Sequence, residues 1–461
     1  MNNKILSFAG LGGVLFALFI FGCATTGGSG GPVAGMETQP FIGKFQVYRK
    51  TFPNGLKLLV VEDHTSPTFA YQTWFRVGSR NEVPQYTGLA HLFEHMMFKA
   101  TKTRPEGTFD RTLEEAGAEG ENAFTSHDYT AYIQELPKNK LAMIAELESD
   151  RMTNLIVNEQ AFKTETEVVQ NERRFRTENN PDGLMYQTLF ETAYQKHPYK
   201  WPVIGYQADL NRMAAADAVA FYQKHYSPAT ATIVVVGDVD PAEVSRTVEK
   251  HYGHLPKHAL PEMNLEVEPA QTTIRRKNLP LDVQVEKLYM AYHVPPANSP
   301  DSAAFEVLQG ILTEGKGSRL ALKLVDTSVA SGVESGSYQG ADPTLFVFHV
   351  NLQEKRRAAE AEAIINSTLA DLMKKPVPAA ELERAKNLMN FTFYQNLTSN
   401  SAKANFLGRY ETVMGDFRGG LKIQEQIAAV TSEDVQRVVK TYFKPAVRTI
   451  IRGMPKGGQR P

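Results

Sequence analysis

Two histidines and a glutamate lie within an apolar stretch of the chain, residues 87–98. His91, Glu94 and His95 form the pattern H-x-x-E-H. On a helix the two histidines would lie about 40° apart on one face, close enough to share a single ion. Neutral imidazoles suit Zn²⁺, and a carboxylate beside such an ion can accept a proton from water. The alternative is that both histidines are buried core residues whose ring nitrogens are hydrogen-bonded within the protein. The pair together with Glu94 favours a metal site.

A third ligand must come from another part of the chain, because a catalytic zinc site usually has three protein ligands. The stretch 162–172 is predicted to be helical and carries Glu165 and Glu172, about 20° apart on one face, whereas Glu167 points elsewhere. One carboxylate of such a pair can bind the metal while the other orients a ligating histidine. A glutamate-rich helix alone is more typical of a solvated surface, so both interpretations stay open at this point.

Composition narrows the choice of metal ligands and partners. The chain has 461 residues, a hydrophobic content of 42%, a formal net charge of −1 and a single cysteine, Cys23. The balanced charge gives no electrostatic basis for binding nucleic acid or an anionic membrane surface. One cysteine excludes a disulfide framework and a cysteine-based zinc site, so histidine and carboxylate would hold any metal.

The N-terminal segment has the features of an export signal. A weakly basic start precedes the apolar run 5–21, which is short for a membrane span and typical of a signal peptide. Residues 20–23, Ile-Phe-Gly-Cys, resemble a bacterial lipobox, which predicts lipidation of Cys23. Because Ala24 follows rather than aspartate, we expect a lipid anchor in the bacterial cell envelope, at the periplasmic face of the outer membrane. An ordinary secretory signal or an N-terminal anchor helix is the alternative.

The elements that must position these residues mix strands and helices without regular alternation, which indicates an α+β fold. A hairpin is expected around the Pro-Asn-Gly turn at 53–55, with further strands over 69–77 and 122–135. Long amphipathic helices are expected over 138–152 and 159–178.

The chain also reads as two homologous halves. Residues 217–228 run from Asp to Pro before a β-branched strand at 232–237, and residues 434–445 repeat that spacing before a strand at 449–453. Two unrelated helix–proline–strand units are the alternative. Three prolines make 256–272 the expected linker. The predicted divisions are a signal peptide at 1–22, a flexible tether at 23–43, a zinc-binding domain at 44–255, a second domain without the motif at 273–455, and a tail at 456–461.

The motif and its context resemble the pitrilysin-type (M16) metallopeptidase family, whose inverted zinc motif is H-x-x-E-H followed by a distant E-x₆-E. The resemblance extends through residues 87–101, 113–118, 122–132 and 197–205. It implies a short two-domain bacterial member of the M16B type. The implied fold is α+β, with two homologous domains that are each a mostly antiparallel sheet packed against helices.

The resemblance also implies a role for each candidate residue. His91, His95 and Glu172 would bind one Zn²⁺ per chain, Glu94 would be the catalytic base, and Glu165 would orient a ligand histidine. One four-residue stretch matches the edge strand on which the family binds extended peptides by strand addition. Its residues are Asn122, Ala123, Phe124 and Thr125. An ordinary edge strand is the alternative for this stretch.

One pair of family residues has no counterpart in this sequence. Members that complete the site from their second domain carry an Arg and a Tyr after a Gly-rich Ser-Arg-Leu segment, and here Val325 and Ser331 align with them. Neither gives an oxyanion the strong hydrogen bonds of Arg and Tyr. We therefore predict a heterodimer with a related chain that carries the pair, and otherwise a homodimer. Arg409 and Tyr410 are interpreted as structural residues.

The predicted function is a zinc-dependent endopeptidase that cleaves peptides or unfolded segments. A non-catalytic structural or assembly subunit of the same fold is one alternative. A different metal-dependent activity, or zinc storage, is another. A purely structural role gives no reason for Glu94 to stand beside two histidines at ligand spacing, so the enzyme is favoured.

Overall fold

The computed structural model describes residues 33–263 and 265–456. The predicted signal peptide, the lipidation site Cys23, the first part of the tether and nearly all of the tail lie outside the described residues. Within the described ranges, no helix combines the length and the apolar character needed to cross a membrane.

The first half of the chain is built on a seven-stranded sheet with the strand order β1-β2-β3-β7-β4-β6-β5. Strands β3 and β7 are parallel, and the other neighbours are antiparallel. The strands are β1 (Glu37–Pro40), β2 (Gln46–Thr51), β3 (Lys57–Glu62), β4 (Thr68–Phe75), β5 (Glu119–Thr125), β6 (Thr130–Pro137) and β7 (Ala231–Gly237).

Two of the sequence-based predictions for the first half need correction, one for the tether and one for a strand. The range 23–43 was expected to be a flexible tether throughout, but β1 lies inside it and pairs with β2. The range 122–135 was expected to be one strand, but it forms most of the hairpin β5–β6. The backbone N–H of Ser126 donates to the carbonyl of Tyr129 at 2.8 Å and closes the turn. The turn is short and contains neither glycine nor proline, so the sequence carried no strong turn signal.

Eight helices follow in the described first half. They are α1 (Leu89–Met96), α2 (Thr108–Glu115), α3 (Leu141–Asn154), α4 (Glu159–Arg173), α5 (Pro181–Ala193), α6 (Gln207–Leu210), α7 (Ala215–His225) and α8 (Pro241–Tyr252). The Asn158 side chain caps α4, and Asn180 caps α5, which has proline at its first position. A wider π-helical turn, Arg174–Glu178, extends α4, so the helix predicted over 159–178 is confirmed.

The second half contains a five-stranded sheet with the order β10-β11-β9-β12-β8. The strands are β8 (Arg275–Leu281), β9 (Lys287–Val294), β10 (Ala330–Ser337), β11 (Thr344–Leu352) and β12 (Arg448–Pro455). The helices are α9 (Ser302–Leu312), α10 (Ala358–Lys374), α11 (Ala379–Gln395), α12 (Asn400–Met414), α13 (Arg418–Ile427) and α14 (Ser432–Tyr442).

The two sheets share one topology. Five strands of the first sheet, β3-β7-β4-β6-β5, match β8-β12-β9-β11-β10 in order, and in both the first pair is parallel. The strands β7 and β12 each follow a helix and a short proline-initiated turn, Pro228–Thr230 or Pro445–Val447. The predicted α+β fold with two matching sheet-and-helix halves is therefore confirmed. The described residues of the expected linker, 256–263 and 265–272, contain no helix or strand.

Each sheet is covered on one face by helices of its own half and on the other by a helix from the other half. Phe69 and Tyr71 of β4 face the core under α1, whereas Trp74 on the opposite face packs against Leu407 of α12. In return, Leu189 of α5 packs on the second sheet. Side chains of a strand alternate between faces, so both faces of these central strands are buried. This exchange of helices holds the halves together in one compact unit.

Candidate metal centre

The motif helix α1 is fixed at its first turn by residues distant in the sequence. Gly88 precedes it with a φ of 92°, in the left-handed region that favours glycine. Glu82 accepts hydrogen bonds from the backbone N–H groups of Gly88 (3.0 Å) and Ala90 (2.8 Å). A buried carboxylate there satisfies unpaired donors and complements the helix dipole. The sequence analysis missed Glu82, because its distance from α1 does not match a capping box.

Three of the predicted ligand atoms converge. Oε2 of Glu172 on α4 lies 3.7 Å from Nε2 of His91 and 3.4 Å from Nε2 of His95. All three ligand atoms lie within 4.8 Å of one another, the one such group of His, Cys, Asp and Glu in the described ranges. Two imidazole nitrogens and one carboxylate form a donor set that suits Zn²⁺. The predicted ligands therefore fit the implied metal.

Burial and neighbouring charges shift the pKa values of the two histidines in opposite directions. Burial lowers the pKa of His91 to about 4, and the nearby His95 adds to the lowering. Burial also opposes protonation of His95, but hydrogen bonds with Glu165 and Glu172 outweigh it and raise the pKa to about 9. A ligand nitrogen must be unprotonated, so a metal ion bound here displaces a proton from His95.

Glu165 lies behind His95 on the side away from Glu172. Its Oε2 is 3.3 Å from Nδ1 of His95, and its Oε1 forms an ion pair of 2.6 Å with Lys99. A carboxylate at Nδ1 fixes the ring so that Nε2 faces the metal position. Lys99, four residues after His95, was not singled out from the sequence, although helical spacing places the two on one side. Glu167 is exposed, as expected.

Glu94 is buried in the same cleft and hydrogen-bonded to the edge of the sheet. The hydroxyl of Thr125 donates to Oε2 of Glu94 at 2.6 Å. Burial raises the pKa of Glu94 to about 6, although the hydrogen bond from Thr125 works in the opposite direction. A carboxyl group with such a pKa can both accept and donate a proton near neutral pH.

The four residues predicted to bind substrate lie on β5, the last strand of the first sheet. On one side Asn122 pairs with Ile133 and Ala123 with Tyr132, and no strand of the described residues pairs with the other side. Residues 122–125 line a cleft of about 900 Å³ together with the two histidines and Glu94. Their edge position is confirmed, and their contact with substrate stays a prediction.

The second half contributes one side chain to this cleft, Tyr338. Its hydroxyl group bonds with Ser126 at 2.7 Å and donates to the buried carboxylate of Asp128 at 3.1 Å. Asp128 also accepts a hydrogen bond from Tyr199 at 2.7 Å and pairs with Arg80 at 3.2 Å. These contacts fix the β5–β6 turn to the second half. No local sequence pattern indicated Tyr338 or Asp128.

Known proteins resemble this chain over both halves. Residues 57–207 match the family model described as insulinase (peptidase family M16), and residues 212–389 match the peptidase M16 inactive domain. The zinc protease PqqE of Helicobacter pylori is 32% identical over 424 residues, which are 91% of this chain and 94% of that protein. The chain belongs to the M16 peptidase family.

Solved structures agree with membership of the M16 family. The crystal structure of a protease from Helicobacter pylori has a TM-score of 0.84 and 33% identity, and the match covers 88% of this chain and 99% of that one. The periplasmic protease PqqL from Escherichia coli shares the fold, with a TM-score of 0.74 and 20% identity. That match covers 91% of this chain but 48% of PqqL, so this M16 chain corresponds to about half of the longer protein.

The positions aligned with the Arg/Tyr pair of other M16 members lie away from the cleft. Val325 ends the π-helical turn Ala321–Val325, and Ser331 on β10 donates to the carbonyl of Asn351 at 3.2 Å. Neither residue lines the cleft. Arg409 and Tyr410 on α12 line a separate pocket within the second half.

Proposed function

We propose that this chain is a zinc-dependent endopeptidase that cleaves peptides or unfolded segments in an extended conformation. The observation that carries the proposal is the convergence of His91, His95 and Glu172 in one cleft with Glu94, which is hydrogen-bonded to the edge strand β5. The first three residues would hold one Zn²⁺ per chain.

The residues around the metal position divide the chemistry between them. When bound, Zn²⁺ supplies a Lewis acid that polarises water and the scissile carbonyl group. Glu94 takes the proton from the attacking water and returns it to the leaving amine, and its pKa of about 6 suits both steps. Glu165 holds His95 at Nδ1, and Lys99 in turn holds Glu165.

The proposed substrate geometry follows from the position of β5. A peptide added as a new strand would bond to backbone groups of residues 122–125 and lie beside Glu94, because Thr125 contacts both the strand end and the base. Backbone pairing recognises extended chains with loose sequence preference. We therefore expect cleavage of unstructured peptides and little cleavage of folded proteins.

The test is the substitution Glu94→Gln, with Glu167→Gln on the exposed side of α4 as the matched control. Removing the base should lower kcat/KM for a quenched fluorogenic peptide by about 10²–10⁴-fold. Metal analysis should find zinc in both variants, and the control should cleave like the wild type. Undiminished hydrolysis by the Glu94→Gln chain would contradict the proposed mechanism.

A second M16 chain is proposed to complete the site. Two observations support it: Val325 and Ser331 stand in place of the Arg/Tyr pair, and this chain matches about half of PqqL. The expected partner is a related chain with that pair and without H-x-x-E-H. Mixing the two chains should raise peptide cleavage, with co-sedimentation in the ultracentrifuge. Full activity from this chain alone would contradict the heterodimer and favour a homodimer.

The cell envelope is the proposed location, with Cys23 as the lipid-anchored N terminus. The support is the lipobox-like sequence at 20–23 and the signal-like run before it. Fractionation of bacteria should find the wild type in the outer membrane, whereas Cys23→Ser should release it or retain an uncleaved signal. A wild-type chain found free in the periplasm would contradict the anchor.

A non-catalytic subunit is the second candidate function. It is favoured by the match of residues 212–389 to the M16 inactive domain and by the absent Arg/Tyr pair. Under this alternative the zinc-loaded chain, mixed with its partner, would cleave peptides equally well with Glu94 or with Gln at that position.

A further inference from the structure

A second pocket, of about 430 Å³, lies inside the second half of the chain. Residues of α9, α11, α12 and α13 and residues at the end of β10 line it. We call it the second-half pocket. Its volume lies in the range of sites that bind small molecules or peptide ends.

The second-half pocket occupies the place that the metal-centre cleft occupies in the first half. The cleft is lined by α1, β5, α4 and α5, and the second-half pocket by the elements at matching positions in the chain order, α9, β10, α11 and α12. The matched group of metal ligands is absent from it in the described ranges. A hollow is therefore present at this place in the second half without the group of metal ligands.

One cation in the second-half pocket, Arg409, forms no ion pair within the described residues, and its guanidinium group lies over the ring of Tyr410, 5.8 Å from the ring centre. Arg409 is half-buried, and within the described residues its guanidinium group also makes no hydrogen bond. The polar groups beside it are satisfied by one another. Tyr410 donates to Gln339 at 2.5 Å, and Gln339 donates to Glu306. The guanidinium group is thus free to form hydrogen bonds with a ligand in the pocket, and a carboxylate is the group it pairs with best.

The charge of the pocket supports an anionic ligand. Burial raises the pKa of Glu306, so its carboxyl group carries less negative charge than an exposed one at a given pH. The other residues whose charges act on Arg409 are the tyrosines Tyr129, Tyr338 and Tyr410. Arg409 is the one cation among the described residues that line the second-half pocket, and Glu306 is the one carboxyl group.

One short segment lies between the pocket and the cleft. Ser337 and Gln339 line the second-half pocket, whereas Tyr338 between them lines the cleft. The apolar side chains Met389 and Phe393 form part of the same pocket wall as Arg409. A ligand with a carboxylate beside an apolar group would match both kinds of wall.

We propose that the second-half pocket binds the C-terminal end of a peptide, with its carboxylate on Arg409 and its last, apolar side chain against Met389 and Phe393. This inference rests on the proposed peptidase function, because it names the peptide end that the enzyme holds. It makes peptides with a free, apolar C terminus the preferred ligands.

The test compares two fluorescent peptides that end in leucine, one with a free carboxylate and one with a C-terminal amide. Binding is measured by anisotropy on the zinc-loaded Glu94→Gln chain, so that no cleavage is needed. The free acid should bind about tenfold more tightly, as expected for one charge-assisted contact. Arg409→Met should abolish this preference without weakening amide binding, and Arg409→Lys should retain part of it.

The control is Arg356→Met, which removes a cation of the same half that does not line the pocket and should keep the preference. Equal binding of acid and amide by the Glu94→Gln chain, or a full preference in the Arg409→Met chain, would overturn the site. Because the readout is binding, the experiment separates the two proposals. If the wild type cleaves peptides but the free acid and the amide bind equally, only the C-terminal binding site is contradicted. If the free acid is preferred but the wild type cleaves no peptide, only the peptidase function is contradicted.

Discussion

The two halves of this chain share a sheet topology but use the contact between corresponding helices differently. In the first half α4 turns Glu165 and Glu172 toward the histidines of α1. In the second half α11 turns Arg384 toward α9, where its guanidinium donates to the carbonyls of Gly310 and Glu314, both at 3.0 Å. The last carbonyls of a helix lack partners, and an arginine satisfies them. One contact thus brings the proposed metal ligands together, and the other stabilises a helix end.

Buried carboxyl groups also differ between the two halves, in the charges that surround them. In the first half burial raises the pKa of Glu94 to about 6, which leaves the group able to exchange a proton. In the second half Glu362 is buried too, but Arg276, Arg452 and Arg448 hydrogen-bond to it and lower its pKa to about 2. Glu94 differs from Glu362 in that no arginine or lysine of the described residues pairs with it, so its pKa stays near the range where it can exchange a proton.

The largest effect is expected from Glu172→Ala. It removes a proposed metal ligand, so zinc content and peptide hydrolysis should both fall, the latter by more than about 100-fold, since changes behind the ligands alone cost 10–100-fold. Metal analysis and kinetics check this, with Glu167→Gln as the control. If the Glu172→Ala chain kept its zinc and its activity, Glu172 would not be a metal ligand, and the difference proposed between the two helix contacts would be contradicted.

Acid should weaken the second half through Glu362. Its folded-state pKa is lowered from 4.5 to about 2, so its stabilisation is fully present above pH 4.5 and is lost as the pH falls from there toward 2. The shift corresponds to about 3 kcal/mol. In urea unfolding, Glu362→Gln should be clearly less stable than the wild type at pH 7, and the difference should shrink by pH 3.5. A difference independent of pH would contradict this account.

Glu165→Gln should act on metal affinity rather than on the fold. Loss of the charged partner at Nδ1 of His95 should weaken zinc binding by about 10–100-fold. Competition with a zinc chelator measures the affinity, and thermal unfolding of the metal-free chain should change little. If zinc affinity stayed at the wild-type level, Glu165 would have no orienting role.

The corresponding substitution in the second half, Arg384→Met, should have the opposite profile. It leaves two carbonyl groups of the α9 end without their donor, which should cost about 1–3 kcal/mol in the free energy of unfolding. Zinc content and kcat should stay unchanged. Lys386→Met, which removes an exposed hydrogen bond to Ala428, is the control. A loss of zinc without a loss of stability would show that the halves do not divide their roles in this way.

The sequence predicted the features that follow from local spacing. The motif on α1, the Glu165 and Glu172 face of α4 and the repeated helix–proline–strand unit all depend on periods of one helix or strand. The hairpin β5–β6 was missed because its turn, 126–129, is short and lacks glycine and proline.

Contacts between distant parts of the chain were not predictable in this way. Glu82, Asp128 and Tyr338 reach the site through tertiary packing, and no spacing relates them to the motif. The exchange of α5 and α12 between the sheets is likewise a property of the whole fold. Lys99 is the exception, since its position four residues after His95 carries a helical signal.

The central claim is that the first half alone holds the metal. Anomalous diffraction at the zinc edge, from crystals of the zinc-loaded chain, tests it most directly. The account predicts one strong peak per chain, about 2.0–2.2 Å from Nε2 of His91, Nε2 of His95 and a carboxylate oxygen of Glu172. A peak at other residues, a second peak in the second half, or no peak in crystals soaked with zinc would contradict it.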